Sequence, residues 1–202
     1  MRRSGRRTKN PPDLSVGSVK IVPRTGSGSS STRDFQETDM NIRLAGLIPD
    51  SITDGPGIRY VVFVQGCRHN CPGCHNPKTH DYAGGFDMPL KELYERIAHA
   101  YLISGVTFSG GEPFDKALPL TLLARAIRRK LHLPIICYTG YTLEELVQKA
   151  RTRTDIRGLL TSIDTLIDGP FIQEKKSLDL EWRGSSNQRI ISAAEIMTSL
   201  KA

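Results

Sequence analysis

An α/β fold built on a mainly parallel, open sheet is what this sequence predicts, and three observations predict it. Short β-branched or aromatic runs alternate with segments of helical period, in the order β-α-β-α-β-α-β. The alternating part covers about 160 residues, short of the roughly 250 of a closed eight-fold barrel, so a partial barrel or an open sheet is left. Each motif of unusual chemistry follows directly on a strand run, at the carboxyl ends where such sheets carry their sites.

The elements are read in order along the chain. RYVVFVQG (59–66) is a strand ending at Gly66. PLKELYERIAHAYL (89–102) places Leu90, Leu93, Tyr94, Ile97, Ala98 and Tyr101 on one helical face. GVTFSG (105–110) is a strand, LPLTLLARAIRRKL (118–131) a helix and LPIICYTG (133–140) a strand. TLEELVQKA (142–150) is a helix, with Thr142 and Glu145 at capping-box spacing. IDTLIDGP (163–170) and QRIISA (188–193) complete the strands. Crossovers between the parallel strands are expected to be right-handed.

Composition bounds the rest. The 202 residues suit one domain plus a tail, and 38% hydrophobic content is enough for a real core. No run approaches the roughly 18 apolar residues of a membrane helix. MRRSGRRTKNPP leads into no apolar stretch, so a secretory signal is not expected and a cytoplasmic location is. The Arg and Ser of this segment allow a transit peptide, but Asp13, Asp34, Glu37 and Asp39 and the lack of an amphipathic period argue against one. Residues 1–39 contain TGSGSSST and several prolines, and read as a disordered basic tail. Met40 opens the folded domain, 40–202, and could itself be a start. The tail holds eight Lys/Arg and four Asp/Glu, so it supplies +4 of the net +7. That balance fits a solubilising surface or attraction to an acidic protein; no motif points to nucleic acid.

CRHNCPGC (67–74) carries three of the four cysteines at intervals of four and three positions. Without a secretory signal, such thiols read as metal ligands rather than disulfides. Zinc would take Cys67, Cys71 and Cys74 with His69, His75 or His80 as a fourth ligand. An iron–sulfur cubane normally takes four thiolates, and only three lie here. Cys137, mid-strand between Ile136 and Tyr138, reads as a core thiol. Three ligands on four irons leave one iron open to a substrate or cofactor, so the spacing leans towards catalysis.

CxxxCxxC after a first strand with GGE after a later one resembles the radical S-adenosylmethionine (SAM) enzymes. DGPGIR (54–59), QGCRHNCPGCHNP (65–77), SGGEPF (109–114), YTGYTLEEL (138–146), LIDGPF (166–171) and WRGSSNQRI (182–190) are similar to the activating proteins of anaerobic ribonucleoside-triphosphate reductase. The likeness runs from about residue 42 to 193; DGPG and the cysteine motif are shared with pyruvate formate-lyase activases, and WRGSSNQ points to the reductase activators. The resemblance implies an incomplete β/α barrel of the radical SAM type over 40–202. It implies a [4Fe-4S] cluster on Cys67, Cys71 and Cys74, which are also the catalytic set, with SAM on the open iron. The 5′-deoxyadenosyl radical so formed would take hydrogen from a glycine Cα of the reductase.

The implied cofactor contacts are Gly73, Cys74, His75, Gly110, Gly111, Glu112 and Thr139. Gly110 and Gly111 would let the backbone approach SAM, and Glu112 would offer its ammonium a carboxylate. Gly73 stands where the broader superfamily often has an aromatic residue, so adenine must find apolar contact elsewhere. Thr139 and Gly140 end a strand at the same rim, and Asp168 could reach SAM or the substrate glycine. DGPG is a loop-fixing turn or a neighbour of the cluster. Trp182 fits core packing, and Arg183, Ser185, Ser186 and Asn187 a cap or a partner contact. The implied partners are the reductase large subunit and a flavodoxin or ferredoxin-type electron donor, with no nucleic acid and no membrane. Competing readings are another radical SAM enzyme, such as a pyruvate formate-lyase-type activase or a 7-deazapurine synthase, and a zinc-stabilised interaction protein.

Overall fold

The computed structural model describes residues 40–202, so the expectations for residues 1–39 lie outside the described residues. Seven strands form one sheet in the order β3-β1-β2-β4-β5-β6-β7. They are β1 (Asn41–Ser51), β2 (Arg59–Val64), β3 (Phe86–Pro89), β4 (Gly105–Gly110), β5 (Ile135–Tyr138), β6 (Thr165–Asp168) and β7 (Arg189–Ser192). The central strands β2, β4, β5 and β6 are mutually parallel. β1 pairs antiparallel with β2 and β3, and β7 pairs antiparallel with β6. The sheet is open, as the residue count requires.

Among the described residues five α-helices accompany it: α1 (Leu90–Ala98), α2 (Ala117–Lys130), α3 (Leu143–Ala150), α4 (Thr154–Leu160) and α5 (Ala193–Ser199). Side chains alternate across each central strand. Tyr60, Val62, Val64, Val106, Phe108, Ile135, Cys137 and Leu166 join the apolar core with Leu93 and Ile97 of α1 and Leu120, Leu123 and Ile127 of α2. The intervening Arg59, Val61, Thr107, Ile136 and Ile167 are buried on the other face. Burial on both faces is why these strands read as continuous apolar runs. Cys137 is fully buried among the core residues, as its sequence context suggests. No helix of the described residues is long and apolar enough to cross a membrane.

The differences from the sequence reading have local causes. α1 ends at Ala98 rather than near 102: His99 caps it, and Leu102 beyond the cap takes a left-handed backbone at φ 59. Tyr101, which the helical period placed on the buried face, is therefore 85% exposed. β1 escaped the pattern because its register with β2 shifts twice, between Leu44 and Gly46 and between Ile48 and Ser51. Each shift breaks the alternation that marks a strand. β3, α4 and α5 are four to seven residues long, too short for a periodic signal.

The end of β6 is held by charge. Asp168 accepts from the Leu143 backbone N–H at the start of α3, 2.7 Å away, and pairs with Arg189. Arg189 also reaches Glu144 at 2.8 Å, and this hydrogen bond holds the Glu144 carboxyl at about 2. A lowered folded-state value means the stabilisation is complete above the unfolded value near 4.3 and drains as pH falls towards 2. The pair is exposed, so it contributes no more than about 1 kcal/mol. Denaturant titrations at pH 6 and pH 3 should show this acid-sensitive component, and Glu144→Gln should remove it.

Candidate functional site

The cysteine loop leaves β2 and is strapped from behind. The Gly66 N–H donates to the Thr79 carbonyl at 2.9 Å and the Cys67 N–H to the His80 carbonyl at 3.2 Å. Gln65 is buried and donates its side-chain amide to the Lys78 and Asp81 carbonyls. Within the loop, the Cys74 N–H bonds the Cys71 carbonyl at 3.2 Å and the Asn76 N–H points to the Cys74 Sγ at 3.4 Å. Cys67, Cys71 and Cys74 are half-buried free thiols, and all three line one cavity of about 110 Å³. His80 also lines it, and its Nε2 is buried without a hydrogen-bond partner. Among the described residues, no three His, Cys, Asp or Glu side chains converge for a single metal ion. A cubane takes each thiolate on a different iron, so its ligands need to face one cavity rather than one point. The donor set fits that group. Burial pushes the Cys67 thiol up to about 11, and a bound cationic centre would drive off its proton.

SGGE closes the opposite wall. Gly110 sits at φ 95, and a Cβ there would lie 2.7 Å from the Phe63 Cα. A Cβ on Gly111 would lie 2.3 Å from the Gly66 carbonyl oxygen. The glycines thus let the end of β4 press on the root of the cysteine loop. The Gly111 N–H bonds the Val64 carbonyl and the Glu112 N–H the Gly66 carbonyl, both at 2.8 Å. The structure supplies a reason for this pair that lies within the protein's own backbone.

Glu112 is 0% exposed and its carboxylate is saturated. One oxygen accepts from the Phe114 N–H and the Thr139 hydroxyl, both at 2.9 Å. The other meets His69 Nε2 at 2.8 Å and accepts from the Gly140 N–H at 2.9 Å. Four bonds fill the acceptor sites of a carboxylate. A direct contact with an ammonium, as the resemblance implies, would displace one of them. Glu112 instead joins the cysteine loop, through His69, to the ends of β4 and β5. The hydrogen bond to Glu112 raises the His69 pKa against the opposing effect of burial. The Thr139 hydroxyl is likewise committed, donating to Glu112 and accepting from the Tyr141 N–H at 3.1 Å.

A larger groove of about 580 Å³ shares Cys74, Ser109, Tyr138, Phe171 and Gln188 with the cysteine cavity. Ile52, Thr53 and Asp54 line it, as do Leu178, Leu180, Trp182 and Arg183. The Tyr138 hydroxyl donates to the Trp182 carbonyl at 2.7 Å, tying β5 to the WRGSSNQ segment. His75 lies against Phe171 with ring centroids 5.0 Å apart, at the lip beside Cys74.

A family model described as a 4Fe-4S single cluster domain matches residues 53–191. The anaerobic ribonucleoside-triphosphate reductase-activating protein of Haemophilus influenzae is 37% identical over 149 residues, 70% of this chain and 92% of that protein. That of Vibrio cholerae is 38% identical with the same coverage. The chain belongs to the anaerobic ribonucleoside-triphosphate reductase-activating protein family. The Enterobacteria phage T4 member is 34% identical over 72% of this chain and 91% of its own. The crystal structure of QueE from Escherichia coli aligns at TM-score 0.40 with 21% identity, over 57% of this chain and 58% of that one, and is too distant to bear on the site.

Within this family member, the structure brings together Cys67, Cys71, Cys74, Gly110, Gly111 and Thr139 around one cavity, with Glu112 buried behind it. Gly73 stands outside the cavity lining, with Gln173 against it. Asp168 faces Arg189 and α3, not the cavity. Trp182 lines the groove, where the sequence suggested core packing. Tyr138 and Phe171 were not singled out, although both sit in strand-end motifs and both border cavity and groove.

Proposed function

We propose that this activating protein carries a [4Fe-4S] cluster on Cys67, Cys71 and Cys74, binds SAM beside it, and installs a glycyl radical on the large subunit of anaerobic ribonucleoside-triphosphate reductase. The observation that supports this reading is the cavity lined by all three cysteines, opening through Cys74 into a groove large enough for a cofactor and a peptide loop. Held there by Cys67, Cys71 and Cys74, the cluster would supply one electron for reductive cleavage of SAM.

The chain's own residues hold and shield. Gly110, Gly111 and Glu112 brace the cysteine loop against β4 and β5. Ile52, Leu178, Leu180 and Trp182 give the groove apolar side chains, and Ile52 at 77% and Leu178 at 90% exposure stand free for a bound protein loop to cover. Arg183 lines the same groove, and its Nε is buried without a partner, which suits it to a carboxylate. The groove is open to solvent at Ile52 and Leu178, as a protein substrate requires. Anaerobic incubation with reductase, reductant and SAM, followed by EPR and assay of 5′-deoxyadenosine, tests the reading. A glycyl radical signal with matching 5′-deoxyadenosine is expected. 5′-Deoxyadenosine without the radical would leave SAM cleavage standing and remove the reductase as substrate.

In this reading residues 40–202 form the whole radical SAM domain. A chain beginning at Met40 should bind the same iron per chain and cleave SAM at a rate within about two-fold of the full chain, since the composition of residues 1–39 offers little apolar surface to bury. Loss of iron from the shortened chain would show that residues 1–39 support the site.

A further inference from the structure

We infer that the surface formed by Arg68, Tyr82, Lys116, Tyr141 and Lys149 docks an acidic one-electron carrier, on the side of the cluster cavity away from the groove. The inference rests on the function proposed above, which requires electrons from outside. Three of these side chains are organised by one carboxylate. Asp115 accepts from Arg68 Nε at 3.0 Å, from the Tyr82 hydroxyl, and from the Tyr141 hydroxyl at 3.4 Å. Cations flank both rings: Lys116 Nζ lies 5.6 Å from the Tyr82 centroid and Lys149 Nζ 4.9 Å from that of Tyr141. Tyr82 is 43% exposed and the Arg68 side chain 66%. Aromatic rings rimmed by Lys and Arg suit an acidic protein surface, with the rings giving contact area and the cations steering approach.

The patch is also next to the cavity. Arg68 directly follows Cys67, and His69 lines the cavity. The His69 ring meets Tyr141 edge-on with centroids 4.5 Å apart. None of the five patch residues lines the groove, which reaches the cavity through Cys74, Tyr138 and Phe171. Donor and substrate protein would therefore approach from different sides. A second basic recess, around Arg125, Arg128 and Arg129 on the last turns of α2, has the charge but adjoins no residue of the cavity, whereas Arg68 lies between Cys67 and His69 and Tyr141 follows Gly140, and Cys67, His69 and Gly140 all line it. In the electron transfer the carrier loses one electron and the cluster gains it, and no atom moves between the proteins.

The test uses a bacterial flavodoxin and the full chain. Binding of the oxidised flavodoxin, followed by its flavin fluorescence at low salt, needs neither a reduced cluster nor turnover. Lys116→Glu with Lys149→Glu should weaken binding about ten-fold or more, while Lys91→Glu with Lys201→Glu, the same charge change elsewhere, should weaken it less than about two-fold. Equal weakening in both pairs, or none in either, overturns the docking site. If the double variant does not fold, Lys116→Gln and Lys149→Gln singly should each weaken binding about two- to three-fold. Saturating reductase should leave flavodoxin affinity unchanged; competition would overturn the separation of the two faces. SAM cleavage driven by dithionite should survive the charge reversals. Failure of that cleavage in the unaltered chain would count against the proposed function instead.

Discussion

Cys71→Ala should yield a folded chain that holds almost no iron or acid-labile sulfide and cleaves no SAM above background. Cys67→Ala and Cys74→Ala should do the same. The three thiols line one cavity, and the fourth thiol cannot replace any of them, because Cys137 is buried among the apolar core residues. Losing a ligand should exceed the roughly 10–100-fold effect of losing a partner in the layer behind a metal site. The fold should persist, since the cysteines are half-buried in a loop and contribute nothing to the apolar core. Cys137→Ala makes the contrast. It should cost about 1 kcal/mol, an ordinary value for a single substitution, and leave iron content unchanged. Iron and sulfide analysis after anaerobic reconstitution, beside a thermal melt of each variant, checks both halves. Full cluster content in Cys71→Ala would remove that residue from the ligand set.

Glu112→Ala should be the most damaging substitution that touches no ligand. It strips a buried carboxylate from His69, Thr139 and two backbone N–H groups together. Removing one member of a buried charged network costs roughly 3–5 kcal/mol. For a domain of this size that is roughly 6–20 °C in Tm. Glu112→Gln keeps the shape but turns one acceptor oxygen into a donor, facing either the Gly140 N–H or the Phe114 N–H and Thr139 hydroxyl. It should lie between Ala and the natural residue in stability. A direct role in binding SAM would leave the melting temperature nearly unchanged and raise the SAM dissociation constant alone. A bracing role moves the melting temperature and loosens cluster retention as well. Melting curves and iron retention under a chelator separate the two.

Much of this was legible from residues close together in the chain. The four parallel strands carry apolar runs because both their faces are buried, and α1, α2 and α3 carry a helical period because one face is. The Thr142–Glu145 capping box forms as its spacing indicates. The cysteine triplet is legible because three thiols that line one cavity from a single tight loop are near neighbours in sequence. β1 was hidden because its bulges interrupt the alternation, and α4 because seven residues with a glycine at position 158 make too short a pattern.

The assignments that changed all concern side chains whose partners lie far along the chain. Glu112 resembles a free carboxylate beside a glycine turn until folding brings it Thr139, Gly140 and His69, 27, 28 and 43 positions away. Asp168 resembles a strand-end ligand until Arg189, 21 positions on, pairs with it from the antiparallel neighbour β7. Trp182 becomes a groove wall only because its carbonyl meets the Tyr138 hydroxyl across 44 positions. By itself the sequence determined the order of the central strands and of α1, α2 and α3, the cysteine loop and its position after a strand, since backbone preference and burial period act over a few residues. Which polar groups stay free for a ligand was decided by the tertiary structure alone, because a buried donor or acceptor must be paired, and its partner is known only once distant strand ends have met.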